Sequence, residues 1–378
     1  SHDFKLVIVP DAGSNDYEYH HQLKERGIDV IILDHHLADE TSQYAIVINN
    51  QLCEYENKEL SGVGVVYQFC RFIDEKMKTS FANEYLDLVA LGLTGDMMSL
   101  TSIETKHLIN KGFEPNNIKN PYIYEMWQKN KFKLGEHITS IDAAFYIVPM
   151  VNAVQRSGTI EEKELLFKSM LKYEAFKVIP STKRGCKGQT ERLVEQAVRM
   201  STNVKNRQTR AQDASMEYLE NKIEKENMMD RKVLLFTLEP GKVDKNIAGL
   251  IANKISAKYQ RPSCMLTKVG DVYQGSARGY EMSGVTNFKD ICDETGCVNW
   301  TAGHQNAFGI SINADKIEEF LEKTDIALTN MASEPVYYVD YIYNGADVNP
   351  QDILAISDLS DLWGKDMNEA MVAVKDIK

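Results

Sequence analysis

The chain opens on short apolar runs separated by polar stretches. Residues 6–11 (Leu-Val-Ile-Val-Pro-Asp), 29–36 (Asp-Val-Ile-Ile-Leu-Asp-His-His) and 45–50 (Ala-Ile-Val-Ile-Asn-Asn) read as strands. With a helical pattern over 16–26 between the first two, they predict a parallel sheet covered on both faces. Residues 61–77 and 83–97 read as helices, and 100–230 continue mostly helical. Few breakers and many charges over 191–227 predict a long, exposed connecting helix. A second α/β region begins at 232–240. It has strands over 264–266, 272–278 and 308–312, and helices over 245–259, 287–293 and 314–323. The pattern changes again near 335, with a strand over 335–343 and a helix over 351–358. Trp300, Phe308 and the tyrosines 337, 338, 341 and 343 read as core or strand residues.

The fold class is therefore α/β: a parallel-sheet domain over 1–130, a helical connector with a basic loop over 131–230, a smaller α/β domain over 231–330, and the start of a further region over 335–378. A length of 378 residues accommodates two or three domains. Hydrophobic residues make up 43% and charged residues 26%, which excludes a disordered tail or a fibre. No run approaches the roughly 18 apolar residues of a membrane span, and the first residues lack a secretory pattern. Six scattered cysteines supply neither a disulfide scaffold nor zinc-site spacing. The setting read from this is reducing and cytoplasmic, with no membrane. The net charge of −12 argues against a chain that coats nucleic acid everywhere and fits one that holds divalent metals with carboxylates.

Ligands of open parallel sheets bind beyond the carboxyl ends of the strands. Asp11 ends the first run, and Asp34, His35 and His36 end the second; Asp96 follows a Gly-Leu-Thr-Gly segment taken as a turn. Asp and His together suit Mn²⁺, Mg²⁺ or Zn²⁺. An Asp at a strand end also serves as a helix cap or turn former. Adjacent histidines on a strand face opposite ways, which would leave one of them structural.

Four segments in order carry a resemblance: Val-Pro-Asp-Ala-Gly-Ser-Asn-Asp (9–16), Leu-Asp-His-His (33–36), Leu-Ser-Gly-Val-Gly-Val (60–65) and Leu-Gly-Leu-Thr-Gly-Asp-Met-Met-Ser-Leu (91–100). They resemble the ordered motifs of the DHH phosphoesterase family. The resemblance implies a site for two divalent ions, Mn²⁺ preferred over Mg²⁺, with Asp11, His35 and Asp96 as ligands. His36 would face the scissile phosphate, and Asp34 would orient the imidazoles. The family's earlier Asp-x-Asp motif should precede Asp11 by several tens of residues, and only ten precede it here. The expectation is a chain truncated at its N-terminus, with an incomplete metal site.

Gln-Gly-Ser-Ala-Arg-Gly (274–279) and Thr-Ala-Gly-His-Gln-Asn-Ala-Phe-Gly (301–309) are glycine-rich, and glycines let backbone amides approach phosphate closely. Together with residues 246–254 and 259–262 they resemble the family's DHH-associated domain. Ser276, Arg278, Gly303 and His304 would then contact substrate. The Pro-x-x-Asn-Ala-x-x-Arg element at 149–156 resembles that of RecJ-type single-strand exonucleases, which implies that Asn152 and Arg156 lie near the incoming phosphate. The tail from about 335 resembles the approach to an OB domain.

Residues 183–210 hold eight basic side chains against two acids. Lys183, Arg184, Lys187, Arg192 and Arg199 form a candidate nucleic-acid track, with 180–188 as a mobile loop. The leading reading is a 5′→3′ exonuclease on single-stranded DNA that works by two-metal hydrolysis in repair or recombination. A single-strand-binding protein or helicase is the implied partner. Two rivals stand beside it: a phosphodiesterase on short oligonucleotides or cyclic dinucleotides, and a replication scaffold without catalysis.

Overall fold

The computed structural model describes residues 4–280, 284–329 and 339–376. By its internal contacts the chain divides into two units. One comprises residues 1–152, 159–202 and 339–378, and the other 153–158 and 203–338.

The first unit starts with β1 (Leu6–Pro10), α1 (Tyr17–Glu25), β2 (Asp29–Asp34) and β3 (Ile46–Asn49). The strands are parallel in the order β1-β2-β3, with Leu6 opposite Asp29 and Ile31 opposite Ile46. The central strand β2 buries Val30, Ile32 and Leu33, as its unbroken apolar run requires. Coverage is less complete than expected at the flanks, where Leu6 and Ile8 of β1 and Ile46 of β3 are exposed.

Two helices follow, α2 (Gly62–Met77) and α3 (Leu86–Gly95). α3 is apolar nearly all round and lies in the core. The Gly-Leu-Thr-Gly segment is not a turn but the last turn of this helix. Gly92 is required there because a Cβ would lie 2.4 Å from Val63 Cγ1. The helices α4 (Ile103–Phe113), α5 (Pro121–Lys129), α6 (Lys131–Leu134), α7 (Ser140–Tyr146), α8 (Val148–Ser157), α9 (Ile160–Met170) and α10 (Lys172–Ala175) come next. Thr139 and Thr159 form capping boxes with Asp142 and Glu162 and fix where α7 and α9 begin.

The region expected to be mostly helical is interrupted by a short hairpin, β4 (Val178–Pro180) and β5 (Thr190–Arg192), which carries the basic loop between its strands. The long helix α11 (Leu193–Lys225) is present, but it is not a bare exposed connector. Its apolar stripe buries Val194, Ala197, Val198 and Val204, and further on Leu219 and Ile223.

The second unit is a five-stranded sheet in the order β6-β7-β8-β10-β9. It comprises β6 (Leu234–Leu238), α12 (Ala248–Tyr259), β7 (Ser263–Val269), β8 (Val272–Arg278), α13 (Phe288–Glu294), β9 (Val298–His304), β10 (Ala307–Asn313) and α14 (Ile317–Ala327). Within this sheet only β6 and β7 run parallel. Alternate side chains face opposite ways along a strand. Phe236 and Met265 therefore join Ile251 and Ile255 of α12 in one core, while Leu235 and Cys264 join Phe288 and Phe320 in the other. The glycine-rich segment at 301–309 spans the end of β9, a two-residue turn and the start of β10, which pair across it.

The tail departs from its expected character. An OB domain is an antiparallel Greek-key barrel. Here β11 (Tyr341–Asn344) and β12 (Val372–Lys375) pair in parallel, with α15 (Pro350–Ser357) between them in sequence. The segment belongs to the first unit: the Leu100 amide donates to Lys365 O at 2.9 Å, and Asn110 Nδ2 donates to Asp361 O at 3.1 Å. The expected strand residues Tyr337 and Tyr338 lie outside the described residues. No helix among the described residues is long and apolar enough to cross a membrane.

Candidate metal and phosphate site

The site lies at the carboxyl end of β1 and β2. Asp11 directly follows β1 in a left-handed conformation, φ 61°, which non-glycine residues rarely adopt. Its amide donates to Leu33 O at 2.8 Å and ties it to the end of β2. β2 stops at Asp34, whose Oδ1 accepts from the amides of His35 (2.8 Å) and His36 (3.3 Å). That turn corrects the expectation of opposed histidines. The strand ends before them, and the two rings lie 4.5 Å apart.

His35 Nε2 stands 3.3 Å from Asp11 Oδ1 and 3.2 Å from Asp96 Oδ2. One ligand atom each from Asp11, His35 and His36 lies within 4.8 Å of the others. Asp96 is the C-cap of α3, where the helix dipole disfavours a carboxylate. A bound cation would offset that cost. Asp and imidazole donors at this spacing fit a divalent ion of the Mn²⁺ or Mg²⁺ kind.

Asp34 is buried and does not face solvent like its neighbours. Burial alone would push its carboxyl up. Hydrogen bonds from the His36 ring, the Ser14 side chain, and the Ser14 and His35 amides outweigh that and hold it at about 2. His36 Nδ1 lies 2.7 Å from Asp34 Oδ1, and this bond raises the imidazole above its ordinary value despite partial burial. Ser14 and Asn49 were not singled out in the sequence, yet they brace the group. The Ser14 amide donates to Asp34 Oδ2, and Asn49 Nδ2 donates to Ser14 Oγ and His36 O. Asn49 ends the third apolar run, and position at a strand end was the signal that could have found it.

A cavity of about 330 Å³ in the first unit is lined by Asp11, Ser61, Gly62, Asp96 and Asn152 among others. Asn152 thus shares a cavity with the acidic cluster. Arg156 stands one turn further along α8 and belongs to the second unit.

In the second unit, Arg278 is opposite Ala307, and Ala307 is opposite His304, so Arg278 and His304 share one row of the sheet. Ser276 lies on the same strand as Arg278, and Gly303 precedes His304 with φ 131°. A Cβ on Gly249 would meet Arg278 Nη2 at 2.5 Å, so the start of α12 lies against this guanidinium. Burial, and then the charge of Arg156, push Arg278 below its ordinary value. Lys205 is pushed down in the same way by burial, then by Lys254 and Arg156. Arg156, Lys205, Lys254 and Arg278 are therefore near one another, and like charges gathered this way favour an anion.

The basic track does not hold together as a free surface. Arg199 forks onto both carboxylate oxygens of buried Glu191, at 2.5 and 2.6 Å. Lys183 also faces Glu191 at 3.5 Å, and Arg192 pairs with Glu195 and Glu125. Arg199 beside it, together with bonds from Ser181 and Thr182, overcomes burial and holds Glu191 at about 2. Arg199 and Lys183 thus neutralise a buried acid, a need the charge count alone does not reveal. Arg184 and Lys187 remain exposed in the hairpin loop.

The sequence profile of the DHH family, N-terminal domain, matches residues 2–93. The chain is 33% identical over 388 residues to the putative SPbeta prophage-derived single-strand DNA-specific exonuclease YorK of Bacillus subtilis (strain 168), covering 100% of this chain and 66% of that protein. It is 23% identical over 370 residues to the single-stranded-DNA-specific exonuclease RecJ of the same organism, covering 94% of this chain and 43% of RecJ. The chain thus spans just under two thirds of the first relative and less than half of the second. The crystal structure of RecJ from Thermus thermophilus in complex with Mn²⁺ has the same fold, with a TM-score of 0.70 at 17% identity over 98% of this chain and 52% of that one. By its motifs, its relatives and its fold, the chain belongs to the DHH family, as a RecJ-type member.

Proposed function

We propose that the protein is a divalent-metal-dependent 5′→3′ exonuclease on single-stranded DNA. The observation that carries this reading is the convergence of Asp11, His35, His36 and Asp96 at the end of the parallel strands. Asp11, His35 and Asp96 would hold two divalent ions, Mn²⁺ in preference to Mg²⁺. Such ions supply positive charge that neutralises the phosphodiester and lowers the pKa of water.

The chain's own groups do the rest. Asp34 holds His36 by its Nδ1, so the ring is fixed in position to meet a phosphate oxygen. Asn152, at the wall of the same cavity, positions the strand. Arg156, Ser276, Arg278, Gly303 and His304 bind substrate phosphate through the second unit, where the gathered cations favour an anion. Arg184 and Lys187 extend the contact along the backbone of the strand. The names of the relatives support single-stranded DNA as the substrate. A place in repair or recombination, beside a single-strand-binding protein or helicase, accords with a single-stranded substrate.

The test uses 5′-phosphorylated single-stranded and duplex oligonucleotides labelled at either end, with Mn²⁺ or Mg²⁺. Mononucleotides should leave the 5′ end of single strands only, and His36→Ala should stop this. Cleavage confined to substrates of a few nucleotides would replace this reading with the short-oligonucleotide phosphodiesterase. Binding of DNA with no cleavage under any metal would leave the scaffold.

A further inference from the structure

α2 begins at the wall of the acidic cavity. Ser61 stands at the N-cap position of this 16-residue helix, but its hydroxyl does not cap it. Ser61 is 3% exposed, and its Oγ has no hydrogen-bond partner. A buried hydroxyl without a partner costs free energy and calls for an explanation. Ser61 lines the same cavity as Asp11, Asp96 and Asn152.

The backbone beside it is also short of acceptors. The first amides of a helix have no acceptor within it, and here the helix's own pattern begins with the Val65 amide on Ser61 O. The first two positions are Gly62 and Val63, and both line the cavity. Gly62 cannot carry a side chain, because a Cβ would lie 2.2 Å from Asp11 Oδ1. The helix start is therefore pressed against the cluster, with its positive dipole end toward it.

We infer that Ser61 Oγ, with the amides of Gly62 and Val63, binds a phosphate oxygen of the substrate. This rests on the exonuclease reading for the identity of the substrate. The shared chemistry is a phosphate ester, present both in the scissile linkage and in the released 5′-mononucleotide. Ser61 would donate its proton to a non-bridging oxygen, which supplies the partner its hydroxyl lacks.

The experiment measures binding of thymidine 5′-monophosphate, a single-stranded oligonucleotide and inorganic phosphate by calorimetry in the presence of Mn²⁺, for the wild type, Ser61→Ala and Ser61→Thr. Melting curves are taken alongside. Ser61→Ala should melt no lower than the wild type, because it removes a hydroxyl without a partner. It should weaken binding of the monophosphate by about tenfold or more, the size of one hydrogen bond to a charged group. Ser61→Thr should restore most of it. Equal weakening for the oligonucleotide assigns the contact to the scissile linkage, and weakening for the monophosphate alone assigns it to the product. Unchanged binding of both by Ser61→Ala, or a loss of binding matched by a lower melting temperature, overturns the inference. Binding needs no turnover, so a wild type that binds but does not cleave would defeat the exonuclease reading and leave this one standing.

Discussion

His36 Nδ1 lies 2.7 Å from Asp34 Oδ1, and Asp34 is itself buried beneath the exposed end of the site. One carboxylate therefore both turns the chain after β2 and fixes the ring that follows. Asp34→Asn keeps the shape but loses the charged acceptor. It should lower activity or metal affinity roughly 10–100-fold. The double variant with His36→Ala should be no worse than His36→Ala alone, because the two act as one unit. Additive losses in that cycle would separate them.

Metal removal should be visible in stability as well as in turnover. A ligand bound only to the folded state stabilises it by about 2.7 kcal/mol at one hundred times its Kd. Mn²⁺ should therefore raise the melting temperature of the wild type, and chelation should reverse the rise. His35→Ala sits between Asp11 and Asp96 and should abolish most of it. An equal rise in that variant would move the ion elsewhere.

The Glu191–Arg199 pair gives a pH dependence with a definite sign. Glu191 is held at about 2, against an ordinary 4.5. Its contribution is therefore complete above the ordinary value and is lost as the pH falls toward the held one. The melting-temperature gap between the wild type and Glu191→Gln should shrink as the pH falls from about 4.5 toward about 2. Arg199→Ala leaves a buried carboxylate without its main partner and should cost about 3 kcal/mol. Arg184→Ala and Lys187→Ala should instead leave stability unchanged and each reduce the salt slope of DNA binding by about 1. A stable Arg199→Ala with weakened DNA binding would restore Arg199 to the track.

His20 of α1 is 2% exposed, and neither ring nitrogen has a partner. Replacing a buried polar group that lacks a hydrogen bond with an apolar one of similar size gains on the order of 1 kcal/mol. His20→Leu should raise the melting temperature. A fall would mean that the imidazole is satisfied in solution.

Much of this arrangement was legible in the sequence because short unbroken apolar runs between turn residues point to buried strands. That is how β1, β2 and β3 appear, and with them Asp11 and the Asp-His-His end of β2. The 3.6-residue pattern gave α2, and the scarcity of breakers gave α11, each within a residue or two of its ends. Glycines misled in one place. In α3, Gly92 serves the approach of Val63 inside the helix and does not mark a turn. β4 and β5 escaped because three residues show no periodicity. Charge counting made Arg199 a surface cation, because the burial of Glu191 is a property of the fold alone. The Leu-Ser-Gly-Val-Gly-Val segment was visible as a motif, but that Ser61 lacks a partner becomes apparent only once the cavity is assembled.

Asp11 holds a backbone conformation that glycine would adopt with less strain. Folding and chemistry therefore pull this position in opposite directions. Selection for thermal tolerance in the absence of divalent ions would drift toward Asp11→Gly, and the sturdier variants it returned would lack a carboxylate proposed to hold the metal. A screen on this scaffold has to score turnover and heat resistance together, or it will select against the site it is meant to preserve.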